Sequence, residues 1–170
     1  MNIVLTGFMA TGKTTIGTAI ANMSDYRFVD TDEIIVKNSG MEINEIFAKY
    51  GEKRFRELER EAVAEAADTD NAVISTGGGV VLNALNIDIL RKNGVIFNLD
   101  PDFSVIEERV IEARKTRPLM QGESIDGIRE RFERRKPFYD NCDRKIFVTG
   151  EKKPEEYAAE ILKIMEEYGK

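Results

Sequence analysis

Histidine is absent from this 170-residue chain, and that absence narrows the chemistry sharply. Proton transfer must run through a carboxylate, a lysine or the substrate itself, and a histidine-ligated zinc site is excluded. Cys142 is the single cysteine. It rules out an internal disulfide and suits a reducing, cytoplasmic setting. No apolar run approaches the ~18 residues that span a bilayer, so no membrane partner is expected. Basic charge is also scarce, with 25 Lys and Arg against 31 Asp and Glu and a net charge of −6. Such a balance argues against nucleic acid as a partner, because binding a phosphate backbone needs a basic field. Cations that gather locally in an acidic chain point instead to a particular anion. The N-terminus runs straight into strand-like residues, so no signal or transit peptide is expected. Apolar content of 42% and charged content of 33% fit an ordinary globular domain, here residues 1–170.

What the chain does contain is Gly7-Phe8-Met9-Ala10-Thr11-Gly12-Lys13-Thr14. This fits G-x-x-x-x-G-K-[ST], the P-loop pattern, at every specified position. Ile3-Val4-Leu5 before it reads as a strand, and Thr15 to Ala21 after it as a helix. A strand, a glycine-rich turn and a helix start gather unpaired N–H donors and a helix dipole at one point, which favours a bound anion. Lys13 can reach the outer phosphates of a nucleotide, and the Thr14 hydroxyl can ligate Mg²⁺.

Further strands are expected at Tyr26–Val29, Ala72–Ser75, Val95–Leu99 and Lys145–Val148. Helices are expected at Ile34–Val36, Ile43–Tyr50, Glu52–Ala67, Asn83–Lys92, Asp102–Ala113, Ser124–Lys136 and Glu155–Glu167. Gly40 and Gly51 serve as breaks, and Pro137 as an interruption. Arg114–Gly122 reads as a basic loop. Alternation of strand and helix predicts an α/β fold with a parallel sheet covered on both faces.

In such a sheet ligands sit beyond the carboxyl ends of the strands, where the P-loop, Asp30-Thr31-Asp32 and Gly77-Gly78-Gly79 all fall. Asp30 and Asp32 point the same way if the strand persists. They then hold a magnesium-bound water or accept a hydroxyl proton, or else Asp30 simply caps a helix. The three glycines allow close approach of the backbone to a ligand, or form a flexible turn. Arg56 and Glu59 share a helix face, as a ligand site or as a solvated surface pair. Arg135 continues the apolar stripe Ile125, Ile128, Phe132, Tyr139. It meets an anion there or snorkels to solvent. Arg109, Arg114, Lys115 and Arg117 form a lid over nucleotide phosphates or a plain basic surface.

Taken in order, these motifs resemble the shikimate kinase family over essentially the whole chain. The P-loop, the D-x-D of Asp30 and Asp32 and the F-R-x-x-E of Phe55, Arg56 and Glu59 all match. So do the triple glycine, the lid Arg117-Pro118-Leu119 and the R-x-P-x-Y of Arg135, Pro137 and Tyr139. The resemblance implies a P-loop kinase fold with a five-stranded parallel sheet and a mobile lid at 112–124. It implies transfer of the ATP γ-phosphoryl group to the 3-hydroxyl of shikimate, with Mg²⁺, by a monomer. ATP would meet Ala10, Thr11, Gly12, Lys13, Thr14, Thr15, Arg109 and Arg117, with the Gly150–Pro154 loop bordering the adenine. Thr14 and Asp30 would hold the metal. Shikimate would meet the 31–60 region and the glycine turn through Asp32, Arg56, Gly77, Gly78, Gly79 and Arg135. Lys13, Asp32 and Arg117 would be the catalytic set. The family usually has glycine where this chain has Ala10, a position for which the general P-loop pattern requires no positive φ. The nearest alternative is a related small-molecule kinase acting on gluconate. A GTPase-like switch would need an N-K-x-D and a D-x-x-G, and the chain has neither.

Overall fold

A computed structural model describes residues 1–116 and 122–169. Five strands form one parallel sheet: β1 Asn2–Thr6, β2 Arg27–Asp30, β3 Ala72–Ser75, β4 Gly94–Pro101 and β5 Arg144–Val148. Their spatial order is β2-β3-β1-β4-β5, so β1, which feeds the P-loop, lies at the centre. The helices are α1 Lys13–Met23, α2 Thr31–Ser39, α3 Ile43–Ala67, α4 Ala84–Arg91, α5 Phe103–Thr116, α6 Ile125–Tyr139 and α7 Pro154–Tyr168.

Side chains alternate across a strand, and each face of the sheet has its own core. Ile3 and Leu5 of β1, Val73 of β3 and Val95, Phe97 and Leu99 of β4 pack under α1 and α7. Val4, Ile74 and Ile96 point the other way, beneath residues of α3, α4, α5 and α6. Most of these side chains are fully buried, each contributing roughly 1.5–3 kcal/mol of transfer free energy. The chain therefore leaves β1 over one face and leaves β3 over the other. The strand order reverses between them, and the crevice at their carboxyl ends is where an α/β sheet binds ligands.

Three boundaries differ from the sequence expectation. α5 runs on to Thr116, so Arg114 and Lys115 form its last turn rather than part of a loop. Cations there face the negative end of the helix dipole. α6 passes through Pro137 and ends at Tyr139. The ring removes one bond, to the carbonyl of exposed Glu133 where water can replace it, while buried Tyr139 anchors the turn by donating to the Gly78 carbonyl at 2.7 Å. β2 stops at Asp30, and Asp32 already lies in the first turn of α2. The expected break at Gly51 is present as a kink inside α3, at φ 80° and ψ 178°. Arg117, Pro118 and Leu119, and with them part of the 112–124 lid, lie outside the described residues.

Candidate active site

The P-loop hangs from β1 and is fixed from below by Phe8. That ring is buried and meets Phe132 of α6 edge-on, with centroids 5.4 Å apart. Thr11 is buried too, and its hydroxyl donates to the Phe8 carbonyl at 2.9 Å. Gly12, at φ 95°, turns the chain into α1 in a conformation that a side chain disfavours. Ala10 also has a positive φ, of 59°, contrary to the general expectation for that position. A Cβ in the left-handed region costs roughly 1–2 kcal/mol. The site holds this residue from outside, since Arg109 Nη1 donates to the Ala10 carbonyl at 2.8 Å.

Lys13 is half-buried and folds back over the loop, its Nζ donating to the carbonyls of Gly7 at 2.7 Å and Phe8 at 2.8 Å. Burial lowers its pKa to about 8, against the opposing pull of Asp32 and Asp30. Thr14 and Thr15 are exposed in the first turn of α1.

Across the crevice, Asp30 is the N-cap of α2, its Oδ1 accepting from the N–H of Asp32 at 2.8 Å and of Glu33 at 3.4 Å. The capping alternative therefore holds for one oxygen. Asp30 and Asp32 converge through this helix turn, not through strand alternation. Asp32 Oδ1 is buried with no hydrogen-bond partner among the described residues. Burial raises the pKa of Asp32, the charge of Asp30 adds to it, and Lys13 and Arg56 oppose. A buried acceptor left empty costs about 1–3 kcal/mol.

The glycine turn closes the far side. Thr76 pins it to β1 through its N–H and hydroxyl, which donate to the Leu5 carbonyl at 3.1 and 2.9 Å. Buried Thr31 accepts from the Gly77 N–H at 3.0 Å. A Cβ on Gly77 would sit 2.8 Å from Asp32 Oδ1, and one on Gly79 would overlap the Arg56 guanidinium. These glycines make room for charged groups, so the flexible-turn reading fails. Arg56 and Glu59 are not a solvated pair either. Glu59 is 2% exposed and accepts from Arg56 Nη1 at 2.8 Å, an arrangement that aims the guanidinium. Burial raises the pKa of Glu59, and Arg56 holds it down. Arg135 is half-buried beside Gly78, with its guanidinium carbon 5.9 Å from the Phe8 ring centroid.

One cavity of about 350 Å³ joins Lys13, Thr14, Asp30, Asp32, Arg56, Arg135 and the three glycines. A second, of about 290 Å³, joins Ala10, Thr11, Gly12, Thr15 and Arg109 to Lys152 and Pro154. The sequence-derived residues thus fall into two adjoining spaces, except Arg117, which lies outside the described residues. Thr31 and Arg131 were missed. Thr31 lies between the two flagged aspartates and looked like a spacer, and Arg131 stands one turn before Arg135 on the same helix stripe. The chemistry on offer is anion binding by the loop, beside a second space lined by a carboxylate and three guanidinium groups.

The family model for shikimate kinase matches residues 9–166. A shikimate kinase of Caldanaerobacter subterraneus subsp. tengcongensis is 50% identical over 163 residues, covering 95% of this chain and 94% of that protein. The solved shikimate kinase of Bacteroides thetaiotaomicron matches with a TM-score of 0.88 at 32% identity, covering 98% of both chains. That of Acinetobacter baumannii, in complex with shikimate, matches with a TM-score of 0.86 at 31% identity, covering 98% of this chain and 93% of the other.

Proposed function

The chain belongs to the shikimate kinase family, and from that premise we propose how its two cavities divide the reaction between them. The enzyme transfers the γ-phosphoryl group of ATP to the 3-hydroxyl of shikimate, giving shikimate 3-phosphate and ADP. ATP occupies the smaller cavity, with its phosphates on the P-loop N–H groups and its base between Arg109 and Pro154. Shikimate occupies the larger one, within the region 31–60 and the glycine turn. Its carboxylate meets Arg56 and Arg135, for which the fork of a guanidinium is suited. The observation that carries this division is the larger cavity itself, where Asp32 shares a lining with Lys13 and with the guanidinium groups of Arg56 and Arg135.

Phosphoryl transfer passes through a loose transition state, so positioning and charge count for more than basicity. Asp32 orients the 3-hydroxyl and takes its proton. Lys13 leaves the Gly7 and Phe8 carbonyls for the outer phosphates, where it meets charge that builds during transfer. A magnesium ion fits this oxygen-only setting. Thr14 presents a hydroxyl, and the second carboxylate oxygen of Asp30 takes no bond among the described residues. A bound ion would supply positive charge against the phosphates. Thr14 would hold it directly and Asp30 through water. Arg117 is proposed as the lid residue on the nucleotide. A gluconate acceptor is disfavoured by the family match; the paired arginines do not decide, because gluconate carries a carboxylate too.

The test is a coupled assay for ADP release with and without shikimate, alongside gluconate. Turnover that requires shikimate is expected. Equal turnover with gluconate, or without an acceptor, would overturn the reading.

A further inference from the structure

Arg131 remains without a role in this division, although it lines the acceptor cavity. Its guanidinium carbon lies 5.0 Å from the Phe8 ring centroid, and its Nη2 is 3.3 Å from the Met9 sulfur, so it stands against the P-loop. Arg135 is four residues further along α6, about 6 Å along the axis at 1.5 Å per residue. It stands beside Gly78 of the glycine turn, 5.9 Å from the same Phe8 ring. The two arginines thus stand one turn apart on the same side of the cavity, Arg135 at the glycine turn and Arg131 at Met9. Arg131 has a partner in the ligand-free chain. Its Nε and Nη2 both donate to Glu123 Oε1, at 3.1 and 2.8 Å. That pair is only partly sheltered, with side-chain exposures of 29% and 38%, so it is weak enough to exchange for a better anion.

Resting on the phosphoryl-transfer reading above, we infer that Arg131 binds the phosphate of shikimate 3-phosphate, and that Glu123 competes with the product for it. The charge change fits. Shikimate enters with its carboxylate alone, and the product leaves with a phosphate near the loop as well. With Arg56 and Arg135 assigned to the carboxylate, Arg131 is the remaining arginine of that cavity among the described residues. Glu123 then recovers Arg131 as the product departs, which offsets the tighter grip that a second anionic group would create. Arg131 acts on product affinity and release, not on the approach of shikimate.

The experiment is titration calorimetry of shikimate and of shikimate 3-phosphate against the whole chain and its Arg131→Gln, Arg131→Lys and Glu123→Gln variants. Loss of one charge-assisted bond, softened by exchange with Glu123, should weaken shikimate 3-phosphate about tenfold in Arg131→Gln. Shikimate binding should stay within about twofold. Arg131→Lys should recover most of the loss, which a purely structural role would not require. Glu123→Gln should tighten the product about twofold to fivefold, the range of an exposed ion pair. Equal weakening of both ligands, or no change in the product, would overturn the inference. Shikimate-dependent turnover of the wild-type chain, measured in parallel, separates the two levels. With turnover present only the role of Arg131 fails, and without it the reading of function fails as well.

Discussion

On the P-loop side of the crevice the cations already hold bonds that a nucleotide must take over. Lys13 donates to two carbonyls of its own loop, and Arg109 to a third. On the glycine-turn side the groups are aimed but not consumed. Arg56 is braced by buried Glu59, with only a longer, exposed contact to Glu52 at 3.4 Å besides, and Asp32 Oδ1 has no partner among the described residues. Binding on the first side is therefore an exchange, in which internal bonds are broken as phosphate bonds form. On the second side it fills places already set, so less ordering cost is incurred on arrival. The first side should respond to solution conditions, and the second to side-chain identity.

The severest test of the preset side is Asp32→Asn. It keeps the size and one acceptor oxygen but removes the negative charge and turns part of the group into a donor. Turnover should fall by roughly 10²- to 10⁴-fold, the span of a lost general base and positioner. ATP affinity should hold within about twofold. Because burial raises the pKa of Asp32, the acid limb of the wild-type rate profile should lie above the range of an ordinary aspartate, and Asp32→Asn should lack that limb. Full turnover in the variant would hand the proton to solvent or to the phosphate itself.

Next in size are the arginines. Arg56→Ala and Arg135→Ala should each weaken shikimate by about 10- to 150-fold, the worth of one charge-assisted bond, with ATP binding nearly unchanged. Stability divides them. Without Arg56, buried Glu59 loses its ion-pair partner and keeps only the more distant charge of Arg135, and the chain should lose about 1–3 kcal/mol in denaturant unfolding. Arg135 has no ion-pair partner among the described residues, so Arg135→Ala should cost less than about 1 kcal/mol. Equal destabilisation by both variants would erase the contrast between a braced and an unbraced arginine.

On the exchanging side, pH is the probe. The pKa of Lys13 is lowered from 10.5 to about 8, so above about 8 the ligand-free loop loses its ammonium. ATP binding above that point must restore the proton, and affinity should fall by up to about tenfold per pH unit. Calorimetry in buffers of different ionisation enthalpy should register proton uptake at pH 9 and little at pH 7. The same shift has a sign for folding. Between about 8 and 10.5 the unfolded chain binds the extra proton, so this group's contribution to stability rises with pH across that window. ATP binding with no proton linkage at pH 9 would mean that the lysine keeps its charge in the empty loop.

The layout of strands and helices was legible because it depends on apolar periodicity and on glycine and proline as punctuation. The break at Gly51, the cap at Asn83 and the parallel sheet follow from those rules. The family's motifs also named residues that the structure gathers around the two cavities, Arg117 apart, and passed over Arg131. What pairing does to them was not. Spacing left Arg56 and Glu59 as a surface pair by default, since burial of Glu59 arises from the packing of α3 against the glycine turn. The pairing of Arg131 with Glu123 is closed by a turn whose path no periodicity specifies. Nor did the pattern expose the cost carried at Ala10, where a rule that names glycine only at the ends of the loop is silent about the middle.

That residue supplies the smallest expected effect. Ala10 sits at φ 59°, and its carbonyl is held by Arg109. Ala10→Gly would remove a left-handed cost of roughly 1–2 kcal/mol. It would also free the unfolded chain by about 0.4–1 kcal/mol in the opposite sense. The half-buried methyl group offsets a little more, so the net gain should be about 0.5 kcal/mol, a rise in Tm of about 1–2 °C. Arg109→Ala should show whether the strain depends on its clamp. If the guanidinium holds Ala10 left-handed, the gain from Ala10→Gly should shrink when Arg109 is absent, and a double-mutant cycle measures the difference directly. A loss of stability on Ala10→Gly would mean that the methyl group's packing outweighs the backbone cost. In that case the left-handed turn at Ala10 would carry no net cost.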